Sequence, residues 1–144
     1  MNTIALKHEI HIAHRLYRHV GKCKNLHGHS YKFEFFCSSN GLNESGMVAD
    51  FSEVKDILAG WLDKNWDHRL MIFHKDPIAN QLKELDNSIV ITSFNPTVEN
   101  ISKKIIEEIA PKLLKGKNYR LTKLIVHETS KCSAISVIEM DTKL

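Results

Sequence analysis

This chain of 144 residues holds little cysteine, proline or glycine (3, 3 and 6 of each), and its aromatic share is only 8%. Cys23, Cys37 and Cys132 are an odd number at no framework spacing, which excludes a disulfide scaffold and leaves reduced thiols. No repeat, low-complexity stretch or linker interrupts the chain. No apolar run approaches the roughly 20 residues of a membrane helix. Met1 to Leu6 passes straight into charged, histidine-rich sequence without the apolar centre of a leader, so a cytoplasmic protein with no membrane partner is expected. The net charge of +3 is too small to imply nucleic acid, and no motif that reads RNA or DNA accompanies it. With 42% apolar and 26% charged residues, the expectation is one globular domain over residues 1–144.

What is present is a histidine-rich segment. His14, Cys23, His27 and His29 fall within sixteen residues, the last three in the run Cys23-Lys24-Asn25-Leu26-His27-Gly28-His29. If residues 28–36 form a strand, His27 and His29 point the same way and can reach one ion. A bare H-x-H is also compatible with two exposed imidazoles on a surface strand, but His14 and Cys23 tip the balance. Three protein ligands with an open fourth position are the arrangement of catalytic zinc, while structural zinc is closed by four; another borderline ion that accepts imidazoles fits the same pattern. Arg15, Arg18, Lys22 and Lys24 crowd the same segment, with no acidic residue between Glu9 and Glu34. Either this is a solvated basic loop, or its positive field draws an anionic small molecule and favours thiolate at Cys23. Cys37 and Cys132 are read as inert.

The periodicities predict an α+β domain. Ile4, Leu6, Ile10, Ile12 and His14 share a parity over Thr3–His14, and His29, Tyr31, Phe33 and Phe35 share one over Gly28–Phe36, so both segments read as strands. Val54, Ile57, Leu58, Trp61 and Leu62 recur at helical spacing over Ser52–Lys64, with Asp50 as a start signal. A second helix begins near Pro96-Thr97 and carries Val98, Ile101, Ile105, Ile109 and Leu113; Pro111 should kink or end it. Between the helices, Leu70 to Phe94 reads as a variable loop with one extended piece, Ile89–Thr92. Tyr119–Thr129 and Ala134–Met140 read as two last strands, turning near Ser130-Lys131. The expected order is ββααββ, a four-stranded antiparallel sheet with two helices on one face.

Ala13-His14-Arg15-Leu16, the C-x3-H-G-H run, Gly46-Met47-Val48-Ala49-Asp50-Phe51, Asp67-His68-Arg69-Leu70, Pro96-Thr97-Val98-Glu99-Asn100 and Glu128-Thr129-Ser130 follow one another in this order. Over nearly its whole length the chain thereby resembles the 6-pyruvoyl-tetrahydropterin synthase family. It is most similar to the branch of 6-carboxy-5,6,7,8-tetrahydropterin synthases, on the route to the 7-deazaguanine of queuosine, because that branch typically places three residues between the cysteine and H-G-H. The biopterin-pathway synthases typically place five.

The resemblance implies a tunnelling fold (T-fold), in which the sheets of several subunits, a hexamer or tetramer, join into a homo-oligomeric barrel with active sites at subunit boundaries. It implies a zinc-dependent lyase that converts 7,8-dihydroneopterin triphosphate and water to 6-carboxy-5,6,7,8-tetrahydropterin, acetaldehyde and triphosphate. The alternative is a sister enzyme eliminating triphosphate from the same substrate to give 6-pyruvoyl-tetrahydropterin. A non-enzymatic zinc or pterin binder would not need Cys23, Asp67 and His68 together. In the implied site His14, His27 and His29 hold Zn2+, Cys23 takes a side-chain proton, and His68 is the second acid/base, oriented by Asp67. Glu128 shares the inward parity of Leu124 and Val126 and is implied as the bidentate anchor of the pterin edge. Thr97 is a second pterin contact, an N-cap, or both, while Glu99 fits helix-dipole complementarity. Arg15, Lys22 and Lys24 are candidate triphosphate contacts. His8, His11, His19, His74 and His127 match no ligand position. Ile10-His11-Ile12 replaces the aromatic and small residues common before the A-H motif, and residues 71–87 have no family counterpart.

Overall fold

The structure is a computed structural model and describes residues 1–140. Two long strands dominate it, β1 (Asn2–His14) and β2 (His27–Ser39). They pair antiparallel without a slip, from Asn2 opposite Ser39 to His14 opposite His27. The period-2 alternation sends Ile10, Ile12 and His14 of β1 and Tyr31, Phe33 and Phe35 of β2 into the core, while His11, Ser30 and Lys32 face outward.

The helices cover that inner face. α1 spans residues 51–65 and opens on Asp50, whose carboxylate accepts from Ser52 N, as the cap signal predicts. α3 spans residues 98–113 and is capped by Thr97, whose hydroxyl accepts from Asn100 N at 3.1 Å. Pro111 does not end it: the helix runs on to Leu113 after a π-helical stretch, Ile105–Ile109, where Ala110 N reaches back to the Ile105 carbonyl. Val54, Leu58 and Leu62 of α1 and Ile101 and Ile105 of α3 pack in one cluster with Ile10, Ile12, Tyr31, Phe33 and Phe35.

The expected four-stranded antiparallel sheet needs correction. The sheet has six strands and is mixed, in the order β4-β3-β1-β2-β5-β6. The segment expected to be a variable loop supplies β3 (Arg69–Phe73) and helix α2 (Ala79–Leu85), and its one expected extended piece, Ile89–Thr92, is β4 (Val90–Thr92). β3 runs parallel to β1, and β4 parallel to β3. These strands are too short to show alternation, and Met71 and Ile72 are both buried, one on each face. The two helices on one face stand, but Ile72, Ala79 and Ile89 form a second small cluster on the other side of β3. β5 (Arg120–His127) and β6 (Ser133–Val137) complete the sheet as the predicted antiparallel pair.

Phe33 is fully buried and stacks on Phe35, with centroids 6.1 Å apart. Phe33→Ala should destabilise the chain by ~3–5 kcal/mol in denaturant unfolding, the usual range for a large core deletion. A loss under 1 kcal/mol would mean that β2 does not organise the core.

Candidate metal centre and active site

The paired ends of β1 and β2 bring three imidazoles together. One ring nitrogen from each of His14, His27 and His29 lies within 4.8 Å of the others, and Cys23 is not part of this group. Gly28 lets the strands close here, since a Cβ in its place would meet the Ile12 carbonyl oxygen at 3.3 Å. His14 Nδ1 lies 2.7 Å from the Pro96 carbonyl and His27 Nδ1 lies 2.7 Å from that of Asn25. A carbonyl only accepts, so each ring spends its one N–H there and turns a bare Nε2 inward. Those two Nε2 atoms stand 3.1 Å apart. His29 Nε2 is buried with no hydrogen-bond partner, the nearest carboxylate oxygen, Glu128 Oε1, being 3.9 Å away.

Burial pushes His14 down to about 4 against the opposing bond to Pro96, with His27 and His29 adding to the fall. His29 is lowered as well, by burial first and by His27, against the pull of Glu128. At neutral pH these rings are therefore uncharged, the form that binds metal. Two bare ring nitrogens that face one another, with a third buried nearby without a partner, fit a cation, and an imidazole set suits zinc among borderline ions.

The remaining candidates divide between two sides of the sheet. Cys23 sits on a 3-10 turn, Lys22–Lys24, which the bond from Leu16 N to Cys23 O (2.9 Å) ties to the end of β1. Lys22 and Lys24 flank it, exposed. Arg15 turns elsewhere: its Nε lies 3.0 Å from Oδ2 of the fully buried Asp76. Glu128 follows β5, with Oε2 3.5 Å from the Tyr31 hydroxyl. It borders a cavity of about 750 Å³ shared with Lys7, Lys32, His127 and Ser130.

Asp67 and His68 form a dyad, with His68 Nδ1 2.9 Å from Asp67 Oδ2. The sharp turn this requires is present: His68 has φ 57°, a left-handed conformation that costs a non-glycine residue about 1–2 kcal/mol. His11 holds both residues, donating from its N to Asp67 Oδ1 (2.9 Å) and accepting from His68 N (2.7 Å). Partial burial opposes ionisation of Asp67, but the His11 N–H and the His68 ring together hold its carboxyl below the usual range. The His68 ring packs edge-on against that of His11, on the outer face, and the dyad does not join the group of three imidazoles.

Sequence reasoning missed the groups that hold the site: the carbonyls of Pro96 and Asn25, the Asn95 side chain clasping Tyr17 N and O, and Tyr31. Tyr31 carried a usable signal, since it shares the parity of His27 and His29.

The fold is that of pterin synthases. It superposes on Caenorhabditis elegans 6-pyruvoyl tetrahydropterin synthase with a TM-score of 0.71 at 24% identity, covering 96% of both chains. An uncharacterized protein from Wolinella succinogenes superposes with a TM-score of 0.83 at 22% identity, covering 96% of this chain and 98% of that one. The model of the 6-pyruvoyl tetrahydropterin synthase family matches residues 3–138, and the chain belongs to that family. A relative in Rickettsia felis named 6-carboxy-5,6,7,8-tetrahydropterin synthase is 37% identical over 86% of this chain and 91% of its own. The Aquifex aeolicus protein of the same name is 34% identical over 80% and 75%.

Excess zinc should raise the melting temperature of the metal-stripped chain, because an ion that binds only the folded form stabilises it by about 4 kcal/mol at a thousand times its Kd. His14→Ala should abolish that shift. An equal shift in the variant would place the ion elsewhere.

Proposed function

We propose that this chain is a lyase that converts 7,8-dihydroneopterin triphosphate and water to 6-carboxy-5,6,7,8-tetrahydropterin, acetaldehyde and triphosphate, on the route to queuosine. The observation that carries the reading is the trio of imidazoles whose ring nitrogens converge on one point, in a chain whose relatives bear that enzyme's name. The three-residue spacing between Cys23 and His27 supports the same branch.

His14, His27 and His29 would hold zinc, which acts as a Lewis acid on the hydroxyls of the pterin side chain. Glu128 accepts from the two N–H groups on the pterin edge, and its half-buried setting strengthens both bonds. Thr97 caps α3 and, in this reading, also contacts the pterin. Cys23 takes a proton from the side chain, placed beside the three imidazoles' strands but outside their cluster. Lys22 and Lys24 meet the triphosphate; Arg15 is the weaker member of that set because Asp76 offsets its charge.

Asp67 fixes the N–H of His68 at Nδ1 and leaves Nε2 to carry the second proton. Since the dyad lies on the outer face, it serves a pterin bound against a neighbouring copy, and the proposed active enzyme is a homo-oligomer.

Purified, zinc-loaded protein incubated with 7,8-dihydroneopterin triphosphate should release acetaldehyde and triphosphate in equal amounts. Triphosphate without acetaldehyde would make it a 6-pyruvoyl-tetrahydropterin synthase instead. Cys23→Ala should keep its zinc and lose about 10²–10⁴ in kcat, the range for a missing acid/base group; zinc loss in that variant would overturn the assignment of the thiol. Glu128→Gln should weaken pterin binding by about 1–3 kcal/mol in calorimetry, and unchanged affinity would remove the anchor.

A further inference from the structure

We infer that Tyr31 is a positioning residue whose hydroxyl aims the Glu128 carboxylate and so ties the pterin anchor to the histidine cluster. The inference rests on the reading that Glu128 holds the pterin.

Tyr31 is fully buried, and a buried phenol must place its proton somewhere. Three groups lie near its oxygen. His14 Nδ1 is 3.2 Å away, but its N–H is already directed at the Pro96 carbonyl, so it has no lone pair to offer. His14 Nε2, at 3.5 Å, faces His27 Nε2, and its lone pair would be taken by an ion held in the cluster. That leaves Glu128 Oε2, at 3.5 Å, which as a carboxylate oxygen accepts.

The donor is also rigid. Its ring is tilted against Phe33, centroids 6.4 Å apart, and Phe33 stacks on Phe35 at 6.1 Å along the same buried face. Glu128 stands just past the end of β5 with its N bonded to the Cys132 carbonyl at 3.0 Å, so its backbone is held and its side chain is the part left to be aimed. Its other oxygen, Oε1, points toward His29 at 3.9 Å. One carboxylate thus spans Tyr31 and a candidate metal ligand, and the phenol is the fixed end of that span.

The test is a double-mutant cycle on zinc-loaded protein, with 7,8-dihydroneopterin as the calorimetric probe. Tyr31→Phe keeps the ring and its packing, so zinc content and melting temperature should stay near those of the parent. Its Kd for the probe should rise about tenfold, the scale of one hydrogen bond to a charged group. In a Glu128→Gln background the same change should have little further effect, because the carboxylate it aims is gone. An equal rise in both backgrounds would reduce Tyr31 to packing and overturn the inference, as would no rise with Glu128 intact. If Glu128→Gln alone leaves Kd unchanged, the anchor reading fails and this inference falls with it. If Glu128→Gln matters and Tyr31→Phe does not, only the inference falls.

Discussion

The register of β1 against β2 is the constraint on which everything else in the molecule depends. Side chains alternate along a strand, so a slip of one residue would exchange the two faces. Ile10 and Ile12 would leave the core, and His14 would turn away from His27. The core and the metal site are therefore specified by the same pairing, which holds over the full length of both strands. Burial of Tyr31, Phe33 and Phe35 under α1 and α3 enforces it, since the opposite parity of β2 offers Ser30, Lys32 and Glu34 instead. All three imidazoles gain their precision from a hydrophobic choice made elsewhere on the same strands.

Around that rigid pair the chain adds carbonyls and clasps that orient the rings. The loop of residues 15–26 closes the two strands, and Asn95 holds it by bonding both N and O of Tyr17, at 3.0 and 3.1 Å. Asn95 sits next to Pro96, whose carbonyl accepts from His14 Nδ1. The approach to α3 therefore sets the tautomer of one candidate ligand and the path of the loop that carries Cys23. This gives the thiol a defined place without making it a ligand. A thiolate among three imidazoles would close a four-ligand site and leave no position for a substrate oxygen.

Much of this was legible in the residues. The parity of β2, the caps at Asp50 and Thr97, and the clustering of His14, His27 and His29 all follow from local pattern and appear as expected. β3 was not legible, and β4 was legible only as the short extended piece Ile89–Thr92, without its pairing. Arg69–Phe73 is buried on both faces at its centre, so it shows no alternation, and its parallel pairing with β1 spans more than fifty residues of sequence and leaves no turn signal. Asp76 was also hidden: nothing local marks a carboxylate that is buried against Arg15, and that contact changes the reading of Arg15 from a free cation to a paired one. The carbonyls of Asn25 and Pro96 have no sequence signature at all, because any residue can supply them.

The placement of the dyad carries the argument past a single chain. β3 enters the sheet directly after His68, and the left-handed turn at His68 directs the dyad toward His11 on the outer face. Each chain thus turns its three imidazoles inward and its candidate acid/base pair toward His11 on the outer face. The outer strands point the same way. β6 lies at one edge of the sheet with Ile135 and Val137 exposed, and β4 lies at the other with Ile91. Apolar, unpaired edges are a hazard for an isolated chain and an asset to one that pairs with copies of itself. A site divided between opposite faces is reassembled when the outer face of one copy meets the inner site of the next, so the proposed oligomer and the proposed chemistry impose one requirement on the same surfaces.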